Sequence, residues 1–433
     1  MLSPNPLSLF CAVLLCFPLA LVLTISSTST TLFTPFVSCR LGAFLSPPPP
    51  PPLSPPPPPP LSPPLPPPSP LPRPISKPPK TLPKNANSSP LTNTTTLKQP
   101  VIKQLPPPPP PPPPVSEDDK DDVDLLRRAS RVNPEPTKGH PKKVAFLFMT
   151  TTPLSFSSLW ELFFNQSGAR GKGQYNIYIH TDPRLQYDPP FSGVFEGRVI
   201  PSSKPTRRNT PTLIIAARRL LSHALLDDPD NYMFVLLSGS CIPLHSFNFT
   251  YTTLVSSNKS FIEILNNETT AWGRWTARGE TVMLPEVSFN DFRIGSQFWA
   301  ISRRHARVVV KDVKLWRKFR LPCVTAGTCF PEENYFPTLL SMVDPQGVIP
   351  TTLTNVNWRG RHDGHPRTYN SSEVDPGLIR WLRESRPRYG SLTINGSDLS
   401  VMDRWDPFLF ARKFAPNCVE PLLSIAKDVL FKD

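Results

Sequence analysis

Residues 142–433 are predicted to form an α/β domain with a mostly parallel sheet flanked by helices. Three observations predict it: short apolar runs of strand length, longer segments with apolar residues at helical spacing, and strict alternation between the two. Val-Ala-Phe-Leu-Phe-Met at 144–149 is a continuous apolar run, which a parallel strand covered on both faces needs. Residues 155–164 follow with a helical pattern, 175–180 read as the second strand, 212–226 as the second helix and 232–237 as the third strand. Strands alternating with helices call for crossover connections and hence parallel pairing. Further on, 298–301 read as a strand, 305–316 and 332–342 as helices, and 418–430 as a final amphipathic helix. Ligands in such sheets sit at the carboxyl ends of strands, which directs attention to 150–152, 181–184 and 238–241.

The chain before this domain has a different physics. Of the 62 prolines in 433 residues, most fall between 47 and 114. A unit of one serine, six prolines and one leucine occurs at 46–53 and again at 54–61. Proline fixes φ and donates no amide hydrogen bond, so residues 26–141 are predicted to be a disordered, extended stalk. It is similar to the serine-proline tracts of plant hydroxyproline-rich wall glycoproteins. The acidic stretch at 117–122 reads as solvated linker. Residues 7–25 are uncharged and almost wholly apolar, and as a helix they would span about 28 Å, close to a hydrocarbon core. They are expected to be a transmembrane signal-anchor behind a short cytoplasmic tail, 1–6. The rival reading, a cleaved leader, draws on the small residues at 26–31. Arg40 on the far side does not fix the orientation.

A net charge of +14 is compatible with nucleic acid, anionic lipid or acidic substrates. Nucleic acid is set aside, because no zinc-finger or RNA-recognition signature accompanies the charge. A lumenal location accords with acceptor sequons at Asn165, Asn248, Asn258, Asn267, Asn370 and Asn395, with two more in the stalk at Asn87 and Asn93. Beyond the stalk the cysteines are Cys241, Cys323, Cys329 and Cys418, which permit disulfides in an oxidising lumen or stand as buried thiols.

Short segments recur in a specific order: the run at 144–149, Tyr178-Ile-His-Thr-Asp182, Phe234-Val-Leu-Leu-Ser-Gly-Ser-Cys-Ile-Pro-Leu-His245, Gly295-Ser-Gln-Phe-Trp299, Phe330-Pro-Glu-Glu333 and Phe410-Ala-Arg-Lys-Phe414. In that order they resemble the core-2/I-branching β-1,6-N-acetylglucosaminyltransferase family, most closely its plant relatives. The resemblance implies a GT-A-like nucleotide-sugar-binding fold for 142–433, a single-pass type II Golgi membrane protein with its catalytic domain in the lumen, and inverting transfer from a UDP-sugar to a glycan acceptor. It also implies that no metal or other cofactor is bound. N-acetylglucosamine is the donor sugar expected.

Residues can be assigned on that basis. Inversion needs one base for the acceptor hydroxyl. Glu333 matches the family's catalytic glutamate, with Glu332 as the adjacent-register rival; Pro followed by two acids is also an ordinary helix start. The end of the third strand, Ser238-Gly-Ser-Cys241, lacks the carboxylate that would hold a divalent cation, so side-chain cations must stabilise departing UDP. Lys413 matches the family's lysine, with Arg412 and Arg404 as candidates for a second cation. Asp182 matches an acidic position of the donor-binding half, although Thr-Asp-Pro is also a turn sequence. His180 and His245 read as structural. Trp358, like Trp272 and Trp275, offers a ring for a sugar face, and Trp358 is assigned to the acceptor; Trp299 reads as core. His362, Asp363 and His365 permit a zinc reading. A second class of function is a non-catalytic lectin-like or scaffold protein retaining the fold, which Gly239 beside Ser240 and the altered basic segment 395–412 keep open. A wall structural protein would account for the stalk alone.

Overall fold

The structure, a computed structural model, describes residues 117–168, 173–266, 268–324, 327–360, 364–390 and 403–433. The signal-anchor and most of the stalk, including Asn87 and Asn93, lie outside the described residues, as do Asn267, His362, Asp363 and Asn395. Among the described residues no helix is long and apolar enough to cross a membrane.

The main sheet runs in the order β2 (Tyr175–Thr181), β1 (Lys143–Thr150), β3 (Asn231–Ser238), β6 (Ala300–Ser302), β5 (Ser260–Phe261), β7 (Val348–Ile349). β1 pairs in parallel with β2 and β3, β6 is antiparallel to β3 and β5, and β5 is parallel to β7. This is a mixed α/β, GT-A-like fold with a mostly parallel sheet flanked by helices, as the sequence predicts. A second sheet orders β4 (Ile242–Pro243), β9 (Phe410–Arg412) and β8 (Thr354–Val356).

The apolar run of β1 explains the two layers. Val144, Phe146 and Phe148 point to one face, where α2 (Ser157–Asn165) adds Trp160, Phe163 and Phe164. Phe148 meets Trp160 edge-on at 5.2 Å and Phe410 approaches Phe146 at 6.5 Å, so the second sheet shares this core. Each such aromatic pair contributes about 0.5–1.5 kcal/mol beyond its buried area. Ala145, Leu147 and Met149 face the other way, against Leu220, Leu221 and Ala224 of α3 (Thr212–Asp227) and Tyr335, Phe336 and Leu339 of α8 (Pro331–Val343). Trp299 belongs to this core, 1% exposed.

Several expectations need correction. Residues 117–141 are not all linker: Glu117–Ser130 form α1, which buries Ala129 and packs Leu126 against the α3 side of the core. Asp122 of α1 pairs with the buried Arg219 of α3, so this one acid of the stretch is neutralised by the fold. The folded part thus begins before 142. The helix predicted over 305–316 is two, α6 (Arg303–Lys311) and α7 (Trp316–Phe319). Asp312 divides them by accepting the amides of Leu315 and Trp316 at 3.0 and 2.9 Å, which caps the second helix instead of continuing the first. The final helix is α10 (Val419–Ile425), continued by a π-helical turn, Ala426–Leu430. Two further helices add to the core of Phe146 and Phe148, α4 (Phe247–Ser256), which packs along β1 and β3, and α9 (Pro376–Glu384), and α5 (Ala271–Thr276) lies between β5 and β6 in sequence.

The cysteines divide. Cys323 and Cys329 form a disulfide, whereas Cys241 and Cys418 are buried thiols. Both readings of the cysteines therefore hold in part.

Candidate active site

A cleft of about 910 Å³ opens where the short elements end. Its chemistry starts at the first turn of α8. Phe330 is left-handed (φ 42°) and Pro331 occupies the first helical position, where its missing N–H costs nothing. The sharp entry sets Glu332 and Glu333 in the first turn, where the helix dipole favours carboxylates. The two then diverge. Glu332 is 4% exposed, its Oε1 accepts the Asn209 amide at 3.0 Å, and burial, reinforced by the charge of Glu333, pushes it up to about 7. Glu333 is 31% exposed on the cleft wall, and its Oε2 accepts Arg274 Nη1 of α5 at 2.8 Å.

Backbone packing fixes the segment beside them. The Gly295 amide donates to the Glu333 carbonyl at 2.8 Å, and a Cβ on Gly295 would lie 1.9 Å from the Glu263 carbonyl oxygen. A Cβ on Gly390 would lie 1.6 Å from the Ile264 carbonyl oxygen. Two glycines thus let two other segments of the chain press on residues 263–264, where Glu263 lines the cleft wall. Burial pushes Glu263 up to about 7 as well, against the pull of Arg388.

The end of β9 brings Arg412 and Lys413 to the same cleft. Arg412 is stacked 4.3 Å from the ring of Phe298; burial lowers its pKa, yet a guanidinium stays protonated at any physiological pH. The next residue, Phe414, donates its amide to Ser240 at 3.4 Å, which ties this segment to the end of β3. Trp358, 52% exposed, also lines the wall, as do Trp381, Arg359, Arg386 and Arg388. Arg208 reaches it while bonded to His365 and to the Gly364 carbonyl.

The structure therefore brings Glu333, Lys413, Arg412 and Trp358 together on one cleft. Asp182 and Arg404 stand outside its wall. Asp182 is 1% exposed, and Arg184, through its side chain and amide, and the Thr206 amide occupy its oxygens at 2.7–3.0 Å. The Arg184 guanidinium holds the carboxyl well below the usual carboxylate range. It works as an internal clamp on the loop between 182 and 206. Arg404 pairs with Asp406. The strand ends at 150–152, 181–184 and 238–241 likewise do not line the cleft. His180 accepts the Lys204 amide, His245 pairs with Asp433, and burial lowers each to about 4. Asn165, Asn248, Asn258 and Asn370 are exposed. Among the described residues no three His, Cys, Asp or Glu side chains converge as metal ligands.

Sequence reasoning missed Glu263, Arg274, Arg208 and Trp381. The only signal available was the pair of tryptophans flanking Gly273-Arg274, which drew notice for the rings and not for the arginine between them.

The raised carboxyls have a consequence for stability. Glu332 ionises near its ordinary value of 4.5 when unfolded but near 7 when folded. The unfolded state therefore binds fewer protons between those values, and stability falls as pH rises through that window. Glu332→Gln is expected to flatten the decline in thermal midpoint between about pH 4.5 and 7, because it removes the titrating group while keeping an oxygen for the Asn209 amide. Thermal scans across that window check it, and an unchanged slope contradicts it.

Comparison with known proteins adds a family-level finding. A family model described as Core-2/I-Branching enzyme matches residues 144–383. That span includes Glu333 and Trp358 and ends before Lys413. A rice protein (Oryza sativa subsp. japonica), "Glycosyltransferase BC10", is 30% identical over 321 residues, covering 66% of this chain and 76% of that protein.

Proposed function

This chain belongs to the core-2/I-branching enzyme family of glycosyltransferases, and from that premise we propose that it transfers a sugar from a UDP-sugar to a glycan acceptor with inversion and without a metal. The observation that carries the reading is the convergence of one accessible carboxylate, Glu333, and two consecutive cations, Arg412 and Lys413, on one cleft. The acceptor oxygen attacks the anomeric carbon from the face opposite UDP, and its proton passes to Glu333. The bond from the anomeric carbon to the β-phosphate oxygen breaks, and the electron pair leaves on UDP. Lys413 and Arg412 offset the charge that develops there, a role preorganised cations fill without metal. Trp358 offers its ring to the acceptor. Arg274 holds the Glu333 carboxylate in one orientation, and Asp182 acts at a distance, by keeping the 182–206 loop closed.

N-acetylglucosamine is the first donor to try. Residency in the Golgi membrane, with 7–25 as a type II anchor and the domain lumenal, is the accompanying proposal. It draws support from the exposed sequons at Asn165, Asn248, Asn258 and Asn370 and from the Cys323–Cys329 disulfide, which needs an oxidising compartment.

The test is a donor-hydrolysis and transfer screen of the purified protein across UDP-sugars, with and without EDTA. Turnover of one UDP-sugar that is indifferent to EDTA is expected. Loss of turnover in EDTA overturns the metal-free mechanism. Absence of UDP binding by calorimetry overturns the enzyme reading and leaves the lectin-like one.

A further inference from the structure

Arginine and lysine side chains on the cleft wall outnumber its carboxylates, and burial pushes two of those carboxyls, Glu263 and Glu332, up to about 7. A UDP leaving group accounts for Arg412 and Lys413. It does not account for the cations that stand with the exposed tryptophans. Arg359 follows Trp358 in the chain, and its guanidinium lies 5.6 Å from the ring of Trp381, itself 39% exposed. Trp358, Arg359 and Trp381 all line the cleft, and Arg386, exposed and stacked at 5.1 Å on Tyr389, lines it with them. Arg359 is exposed, so a ligand at this lip can reach its guanidinium.

Two chemistries coincide here. Indole faces take the apolar face of a pyranose ring, and guanidinium groups bind a carboxylate through paired N–H donors. A sugar that satisfies both carries a carboxylate on its ring. We propose that this lip of the cleft is a subsite for a uronate residue of the acceptor, so that the enzyme prefers acidic glycans over neutral ones. The inference rests on the glycosyltransferase reading for the word acceptor, but the subsite can be measured without turnover.

The test measures binding of matched oligosaccharides to the protein saturated with UDP: a glucuronate- or galacturonate-bearing oligomer, its methyl ester and its neutral counterpart. The free uronate is expected to bind about tenfold more tightly than either of the others, with the advantage shrinking as salt rises. Arg359→Gln should erase most of that advantage, Trp381→Ala should weaken all three ligands together, and Arg317→Gln, exposed on α7 and outside the cleft, should keep the preference. Equal affinity for the acid and its methyl ester overturns the proposal, as does a preference that survives both Arg359→Gln and Arg386→Gln. A carboxylate preference found with UDP-glucuronate as donor, and absent from acceptors, overturns it too. If uronate binding is seen while every UDP-sugar stays intact, the subsite stands and the transferase reading fails.

Discussion

Glu333→Gln is expected to lower the rate of sugar transfer by about 10²–10⁴-fold, the range that a positioned general base supplies. The geometry makes the substitution clean. Glutamine has the shape of glutamate, and its amide oxygen can still accept Arg274 Nη1, now 2.8 Å from Oε2. The backbone carbonyl of residue 333, which accepts the Gly295 amide, is untouched. What disappears is the capacity to take the acceptor proton. The thermal midpoint and the affinity for UDP should stay near those of the parent, and the loss should fall on kcat rather than on the KM of the donor. Glu332→Gln provides the contrast, because Glu332 points away from solvent and holds the Asn209 amide. It should retain a large part of the activity. Normal turnover in Glu333→Gln would place the base elsewhere, and Glu263 on the same wall would then be the residue to replace.

The elements visible in the sequence were those whose burial leaves a pattern. β1 and β3 are covered on both faces and are written as unbroken apolar runs, and α3 carries its apolar stripe over four turns. β4, β5 and β7 have two residues each, too few to establish any period, so the second sheet and the edge of the first were not legible. α1 was hidden because acidic residues dominate its first two turns and its buried side is small. The site divides in the same way. Glu333, Arg412 and Lys413 could be named because they sit in or beside short segments that resemble a family's. Glu263 and Arg274 could not, because their place on the cleft follows from long-range packing: Glu263 is set by a glycine more than thirty positions away, and Arg274 meets its partner across the chain from α5 to α8. Asp182 shows the converse. Its segment resembles one from a donor-binding half, yet Arg184 and the Thr206 amide absorb both of its oxygens.

That dependence on packing gives the second large effect. Gly295→Ala should destabilise the protein by about 1–3 kcal/mol, as overpacking of a closed interior does, and should also reduce kcat/KM by about 10²-fold through displacement of the reacting groups. The added methyl would lie 1.9 Å from a backbone oxygen, and backbone cannot swing aside as the end of a long side chain can. Either residues 263–264 or residues 294–296 must move. The first movement is resisted from the far side by Gly390, whose own approach to the Ile264 carbonyl leaves no slack, and it would carry Glu263 out of place. The second would pull the 295 amide off the Glu333 carbonyl and shift the first turn of α8. Either way a carboxylate on the cleft wall is displaced, so stability and catalysis should fall together. An alanine at Gly273, where a Cβ would have nothing within 4 Å, should leave both nearly intact although it lies beside Arg274. Thermal midpoints and kcat/KM for the two variants, measured side by side, separate close backbone contact from mere proximity to the site.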